Sequence, residues 1–174
     1  MIPTLADVRR QIDAYPHSYI FWTQKEIRAL PAILDSGETI KAVTSGYIDG
    51  STWLAVCTDR RVIFLNCGMF YGVQQVQFPL DRIQSINHAF TLFFGSISVW
   101  DGATAFTINM VSKSSIAPFV KMTEEMMYAQ RHTQPKAAAQ PANTADQLAK
   151  LADLKEKGYL TDQEFQAQKK KLLG

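Results

Sequence analysis

The sequence is poor in the residue types that announce a chemistry. Its 174 residues hold two cysteines and three histidines, and His17, His88 and His132 stand far apart, with no His-Glu-x-x-His, His-x-Glu or Cys-x-x-Cys spacing. The local ligand sets of zinc hydrolases, deaminases and zinc fingers are therefore missing, and no metal or cofactor is expected. Gly-x-Ser-x-Gly, Gly-x-x-x-x-Gly-Lys and Gly-x-Gly-x-x-Gly are absent too. Acyl-enzyme chemistry and helix-capped phosphate binding thus lack their usual scaffold. An excess of one charge is also missing: Lys and Arg number 18 against 16 Asp and Glu. Residues 1–134 carry 11 of each sign and residues 135–174 carry 7 against 5, so the whole surplus lies in the tail. A nucleic-acid partner is not expected from such a balance. No apolar stretch approaches the ~20 residues of a membrane span. Met1 to Gln11, with Asp7, Arg9 and Arg10, lacks the apolar core of a secretory signal. The expected location is the cytoplasm.

What is present describes an ordinary core with a surplus. At 47% hydrophobic and 20% charged residues the chain can bury a full core, and its length exceeds a typical domain of ~100–150 residues. The first third has helical spacing: Leu5, Val8 and Ile12 up to Pro16, then Ile27, Leu30 and Leu34 up to Gly37. Thr23-Gln24-Lys25-Glu26 has the form of a capping box at the second helix start, and Pro31 is expected to bend or shorten that helix. From Glu38 to Val111 the period becomes two. Seven strands are predicted at 39–47, 52–58, 62–67, 73–78, 83–89, 93–100 and 105–111, several of them separated by turn residues at Asp49-Gly50, Asp59-Arg60, Pro79 and Asp101-Gly102. Short connections between antiparallel strands suggest a small barrel or sandwich.

In the hairpin that turns near Asp59-Arg60, Cys57 faces Val62 and Cys67 faces Thr52, an offset of roughly 16 Å at ~3.3 Å per residue. No disulfide can bridge that, and buried thiols in a reducing compartment are expected. Between Ser115 and Arg131, Ile116, Phe119, Val120, Thr123, Met126 and Met127 recur at helical spacing, and this apolar face is expected to close the open end of the barrel. Thr133 to Asn143 reads as a linker able to span on the order of 35 Å. A helical hairpin follows, broken at Gly158 and restarted by the capping box Thr161-Asp162-Gln163-Glu164.

Two resemblances emerge from these residues. Seven strands closed by one amphipathic helix, with Thr58-Asp59-Arg60-Arg61-Val62-Ile63-Phe64-Leu65 leading into the third strand, resemble the bacterial pleckstrin-homology-like (PH-like) domain. The tail, with Gln147-Leu148-Ala149-Lys150-Leu151, Gly158-Tyr159-Leu160-Thr161-Asp162-Gln163-Glu164-Phe165 and Lys169-Lys170-Lys171-Leu172-Leu173-Gly174, resembles the short C-terminal domain called SHOCT. The expected fold is mainly β with helices: an N-terminal helical segment (1–37), a seven-stranded antiparallel PH-like barrel closed by a C-terminal amphipathic helix (38–131), an Ala/Pro-rich linker (132–144) and the SHOCT helical hairpin (145–174). Neither resemblance implies catalysis; both imply modules of binding function. Eukaryotic PH domains often hold phosphoinositides with Lys and Arg flanking the first inter-strand loop. Here Ile48-Asp49-Gly50-Ser51 offers an acid and no base, with only Lys41 nearby, so that site does not carry over.

The hairpin tail is the most informative element for function. About 30 residues cannot bury enough apolar surface to offset their own ordering, so the stripe Leu148, Leu151, Leu154, Tyr159, Leu160, Phe165, Leu172 and Leu173 needs an outside surface. That surface is either its own barrel or another chain, and the spacer favours the second. The reading is a non-enzymatic protein-interaction and oligomerisation module whose partner is a second copy or another cytoplasmic protein. The alternative is peripheral binding to an anionic membrane surface, at the inner face of the membrane, through Met69, Phe70 and Tyr71 between two glycines, the pair Arg60 and Arg61, and Lys169, Lys170 and Lys171. Against it, the lysines suit the end of a helix dipole and the arginines a solvated turn. An enzyme with a site dispersed in sequence is the third reading.

Overall fold

Thr4 opens the first helix, α1 (Leu5–Asp13), with a reciprocal cap. The Asp7 N–H donates to Thr4 Oγ1 at 3.2 Å and the Thr4 N–H donates to Asp7 Oδ2 at 3.1 Å, which satisfies two backbone donors the helix cannot. The second helix, α2 (Gln24–Ile33), begins where its sequence predicts but without the predicted box. Thr23 makes no side-chain cap, and Glu26 turns away to accept the Cys67 N–H at 2.7 Å. Pro31 lies in its last turn, and the helix stops two residues later. The computed structural model describes residues 2–15, 18, 20–68, 72–133, 152, 155 and 165–169.

Seven strands follow: β1 (Ile40–Ile48), β2 (Ser51–Thr58), β3 (Arg61–Gly68), β4 (Gly72–Pro79), β5 (Ser85–Phe90), β6 (Phe94–Trp100) and β7 (Ala105–Ser112). All are antiparallel to their neighbours, in the order β4-β3-β2-β1-β7-β6-β5. Asp49 (φ 47°) and Gly50 (φ 80°) form a two-residue turn between β1 and β2, both in the left-handed region that such tight hairpins require. Cys57 pairs with Val62, as the turn at Asp59-Arg60 implies. Two groups of strands, β4-β3-β2-β1 and β7-β6-β5, meet where Tyr47 pairs with Asn109. Gly46 permits that approach: a Cβ there would stand 2.6 Å from the Asn109 carbonyl oxygen and collide with the Ile108 side chain.

Helix α3 (Lys113–Thr133) runs two residues past its predicted end and packs on β1 and β2 as well as β5, β6 and β7. Its buried face is Ser115, Ile116, Phe119, Val120, Thr123 and Met127, which holds five of the six residues of the stripe read from the sequence, Met126 being half-buried. Arg131 donates to the Ile83 carbonyl at 2.9 Å and ties the end of the helix to the entry of β5.

Successive residues of β1–β3 feed two different cores. Ala42, Trp53, Ala55, Cys57, Val62 and Phe64 point inward to Ile97, Val99, Ile108 and α3. Val43, Leu54, Val56, Ile63 and Leu65 point outward into a second core with Val8 and Ile12 of α1 and Ile27 and Leu30 of α2. The N-terminal helices are thus a covering layer over the outer side of β1–β3. The chain divides into two compact units, Met1–Thr133 and Gln134–Gly174. In the second, residues 152, 155 and 165–169 are helical and the Lys155 ammonium lies 5.1 Å from the Phe165 ring centre.

Candidate functional site

Arg60 and Arg61 lie in the β2–β3 turn, and their surroundings differ. The Arg61 guanidinium folds inward and donates to Glu38 at 2.9 and 2.7 Å, to the Ile33 carbonyl at 3.1 Å and to Gln77. Glu38 has a fully buried side chain, and its other partners are the Thr58 hydroxyl at 2.8 Å and the Asp35 N–H at 2.8 Å. Burial alone would raise the Glu38 carboxyl, but these donors outweigh it and hold the group below its ordinary value. The bond to Glu38 in turn raises Arg61. Arg60 donates to the Ser36 carbonyl and has its head half exposed. Arg61 therefore joins α2 to the hairpin and is not a solvated cation awaiting an anion.

The other residues named from the sequence divide by position. Phe165 is helical and half-buried, and Lys169 is helical. Met69, Phe70, Tyr71, Leu148, Leu151, Leu154, Tyr159, Leu160, Lys170, Lys171, Leu172 and Leu173 lie outside the described residues, as does the linker from residue 134 onward. Burial pushes the Cys57 thiol up to about 12 and raises Cys67 as well, so neither is a poised nucleophile. Among the described residues no group of three His, Cys, Asp or Glu is placed to hold a metal ion.

The feature that stands out physically is an apolar face built from four separate segments. Phe21 and Trp22 precede α2, their rings 5.6 Å apart, and the Phe21 N–H is tied to Ser45 Oγ of β1 at 3.0 Å. Beside them Phe21, Tyr47, Phe94 and Met110 line a hollow of about 270 Å³ at the β1–β7 seam. The β5–β6 hairpin tip, which leads into Phe94, carries two more exposed apolar side chains. Leu92 is 78% exposed, Phe93 75% and Trp22 77%, far more than large apolar side chains usually are on a solvated surface.

Two observations show that this exposure is held by the backbone. Trp22 (φ 58°) and Met110 (φ 53°) lie in the left-handed region, which costs a bulky residue about 1–3 kcal/mol and persists only where surroundings enforce it. Met110 sits where β7 carries one residue more than β6 between paired positions, a bulge that re-aims the strand. The tip is likewise fastened: the Thr91 N–H donates to the Phe94 carbonyl at 2.8 Å, the Phe94 N–H to Thr91 Oγ1 at 3.3 Å, and Lys113 Nζ to the Leu92 carbonyl at 2.6 Å. Backbone groups are satisfied inward while Leu92 and Phe93 remain outside.

None of these residues is a candidate from the sequence alone. A signal existed in Phe90-Thr91-Leu92-Phe93-Phe94, five residues spanning the connection of two strands with no Gly, Pro, Asn or Asp, which the periodicity reading assigns partly to the following strand. The other contributors are separated by tens of residues, and only the strand order joins them.

The family model for the bacterial PH domain matches residues 34–125, more than half of the chain, and that for the short C-terminal domain matches residues 146–173. A search of curated proteins returned no match. Among solved structures, the chain is similar to a pleckstrin homology domain from Shewanella amazonensis, at 16% identity and a TM-score of 0.45 over 60% of this chain and 97% of that one. It is also similar to a DUF1696 family protein with a pleckstrin-homology domain from Shewanella loihica, at 11% identity and a TM-score of 0.46 over 62% of this chain and 99% of that one. With a family match from residue 34 to residue 125, which takes in all seven antiparallel strands and the first part of the closing helix, the chain belongs to the bacterial PH domain family.

Proposed function

We propose that the chain is a non-enzymatic protein-interaction module of the cytoplasm that assembles with copies of itself or with another protein, using an apolar barrel face and the C-terminal hairpin. Bacterial PH and SHOCT domains are generally non-enzymatic families, which indicates a non-catalytic module. The observation that carries the finer reading is the aromatic face at Phe21, Trp22, Tyr47, Phe94 and Met110, held open at a backbone cost a solvated surface would not repay. The tail supports it separately, because its leucine stripe exceeds what 30 residues can bury unaided. No helix among the described residues is long and apolar enough to cross a membrane. A membrane-surface reading draws on the exposed Leu92-Phe93 tip beside Lys113.

Light scattering on the full chain over a range of concentrations tests the reading, with Leu148, Leu151 and Leu154 together replaced by serine as the tail variant. A mass above one chain that falls in the variant is expected. A monomer at every concentration that also captures no protein partner, yet floats with anionic vesicles at low salt, would replace the protein reading with the membrane one.

A further inference from the structure

A second hollow, of about 810 Å³, lies between the segment that leads into α2, the start of β2 and the end of β3. That volume is within the ~300–1,000 Å³ of small-molecule sites. Exposed Phe21 and Trp22 line it together with Asn66, Cys67 and, as the one acid among the described residues of its wall, Glu26. Glu26 is only 4% exposed, and its two carboxylate oxygens differ. Oε1 accepts the Cys67 N–H at 2.7 Å, whereas Oε2 is buried and meets no donor among the described residues. A buried carboxylate oxygen without a donor is costly, and the hollow that Glu26 borders is where one can enter. We infer that this hollow binds a small organic ammonium ion, whose N–H groups donate to Glu26 Oε2 while its apolar body lies on the Phe21-Trp22 wall.

Three features select that chemistry. An ammonium brings both the donor and the opposite charge that the carboxylate lacks, and such charge-assisted bonds are the strong ones. Lys25, on the same wall, is exposed and forms no ion pair with Glu26, so it does not already supply them. Aromatic faces beside a carboxylate also attract a cation. Trp22 holds its ring there at a backbone φ of 58°, a strain of the kind found at ligand clamps, and the Phe21 N–H is fixed to Ser45. Finally, a metal ion needs several ligands, and among the described residues no three His, Cys, Asp or Glu side chains gather. The site goes beyond the assembly reading and does not depend on it.

Titration calorimetry of the full chain with phenethylammonium, which carries a ring and an ammonium, is the test, with 2-phenylethanol and 3-phenylpropionate as its neutral and anionic counterparts. The ammonium should bind about 10-fold tighter than the alcohol or better, the range of a hydrogen bond to a charged group, and the carboxylate should not bind. Glu26→Gln keeps an acceptor for the Cys67 N–H and removes the charge, so it should weaken ammonium binding about 10-fold. Trp22→Gly suits the left-handed backbone and removes the ring, so about 3-fold weaker ammonium binding is expected with the fold kept. Sedimentation of the same samples shows whether assembly changes, which separates this site from the self-association reading. Equal affinities for the ammonium and the alcohol, or an affinity unchanged in Glu26→Gln, would overturn the inference and leave a buried water as the partner of Oε2. Absence of binding by phenethylammonium at millimolar concentration would overturn it as well. If Glu26→Gln does not fold, the three ligands on the parent and the Trp22→Gly variant decide the matter.

Discussion

Strands β1–β3 and strands β5–β7 share one period and one barrel, yet they read differently because only the first set is covered on both sides. In β3, Val62, Ile63, Phe64 and Leu65 are all fully buried, alternately against α3 and the opposite strands and against α1 and α2. In β6 the buried residues are Gly95, Ile97 and Val99, and Ser96 and Ser98 between them are half-buried. A continuous apolar run therefore marks a wall with two cores, and strict alternation marks a wall with one. The N-terminal helices are what makes the difference, so the strength of the comparison can be measured at their junction with the sheet.

The largest effect is expected where Arg61, paired with Glu38 and Asp35, ties the covering layer to the strands. Arg61→Met removes the guanidinium that neutralises a fully buried Glu38 and bonds the end of α2 at Ile33. Leaving a buried carboxylate unpaired costs about 3–5 kcal/mol, so urea denaturation should show a loss of that order. A loss near zero would mean that the covering layer is not fastened there. Next comes the contrast between outer faces. Leu54→Ala hollows the core under α1 and α2 and should cost about 2–5 kcal/mol, whereas Thr107→Ala on the uncovered face of β7 should stay within about 0.5 kcal/mol. Equal losses would erase the distinction between the two walls.

Acid sharpens the same junction. Glu38 is held below its ordinary 4.5 in the folded chain, so the unfolded chain binds that proton more readily and stability rises with pH. The contribution is complete above about pH 4.5 and disappears as pH falls through the lower folded value. Melting temperature followed from pH 6 downward should fall less steeply in Glu38→Gln than in the parent at roughly this range. Parallel slopes would show that some other carboxyl governs acid unfolding.

These junctions also explain what the sequence could and could not disclose. Strand positions, the Asp49-Gly50 turn and the buried face of α3 follow from local period and turn chemistry, which act within a few residues. The second core was hidden because Ile63 and Leu65 would be apolar under any cover, and no local pattern says that α1 and α2 provide it. The aromatic face was hidden for a stronger reason. Phe21, Tyr47, Phe94 and Met110 become neighbours only through the β1–β7 pairing, and the left-handed backbone at Trp22 and Met110 leaves no mark on composition. Arg61 was visible as a charge but not as the partner of Glu38, which lies 23 positions away.

The smallest effects separate two threonines that look alike in sequence. Thr4 and Thr23 each precede a helix and each stands three residues before an acid, yet only Thr4 forms the reciprocal cap with its acid. Thr23 is fully buried, its hydroxyl has no hydrogen-bond partner, and Glu26, which the sequence pairs with it, bonds Cys67 instead. Thr4→Ala should therefore cost about 1 kcal/mol, the usual value of a lost cap. Thr23→Val keeps the shape and removes an unsatisfied buried hydroxyl, so it should gain about 1 kcal/mol. Opposite signs in thermal or urea unfolding are the expected outcome. If both substitutions destabilise, Thr23 caps α2 after all, and the covering layer begins as the sequence pattern has it, with tertiary packing adding nothing at that position.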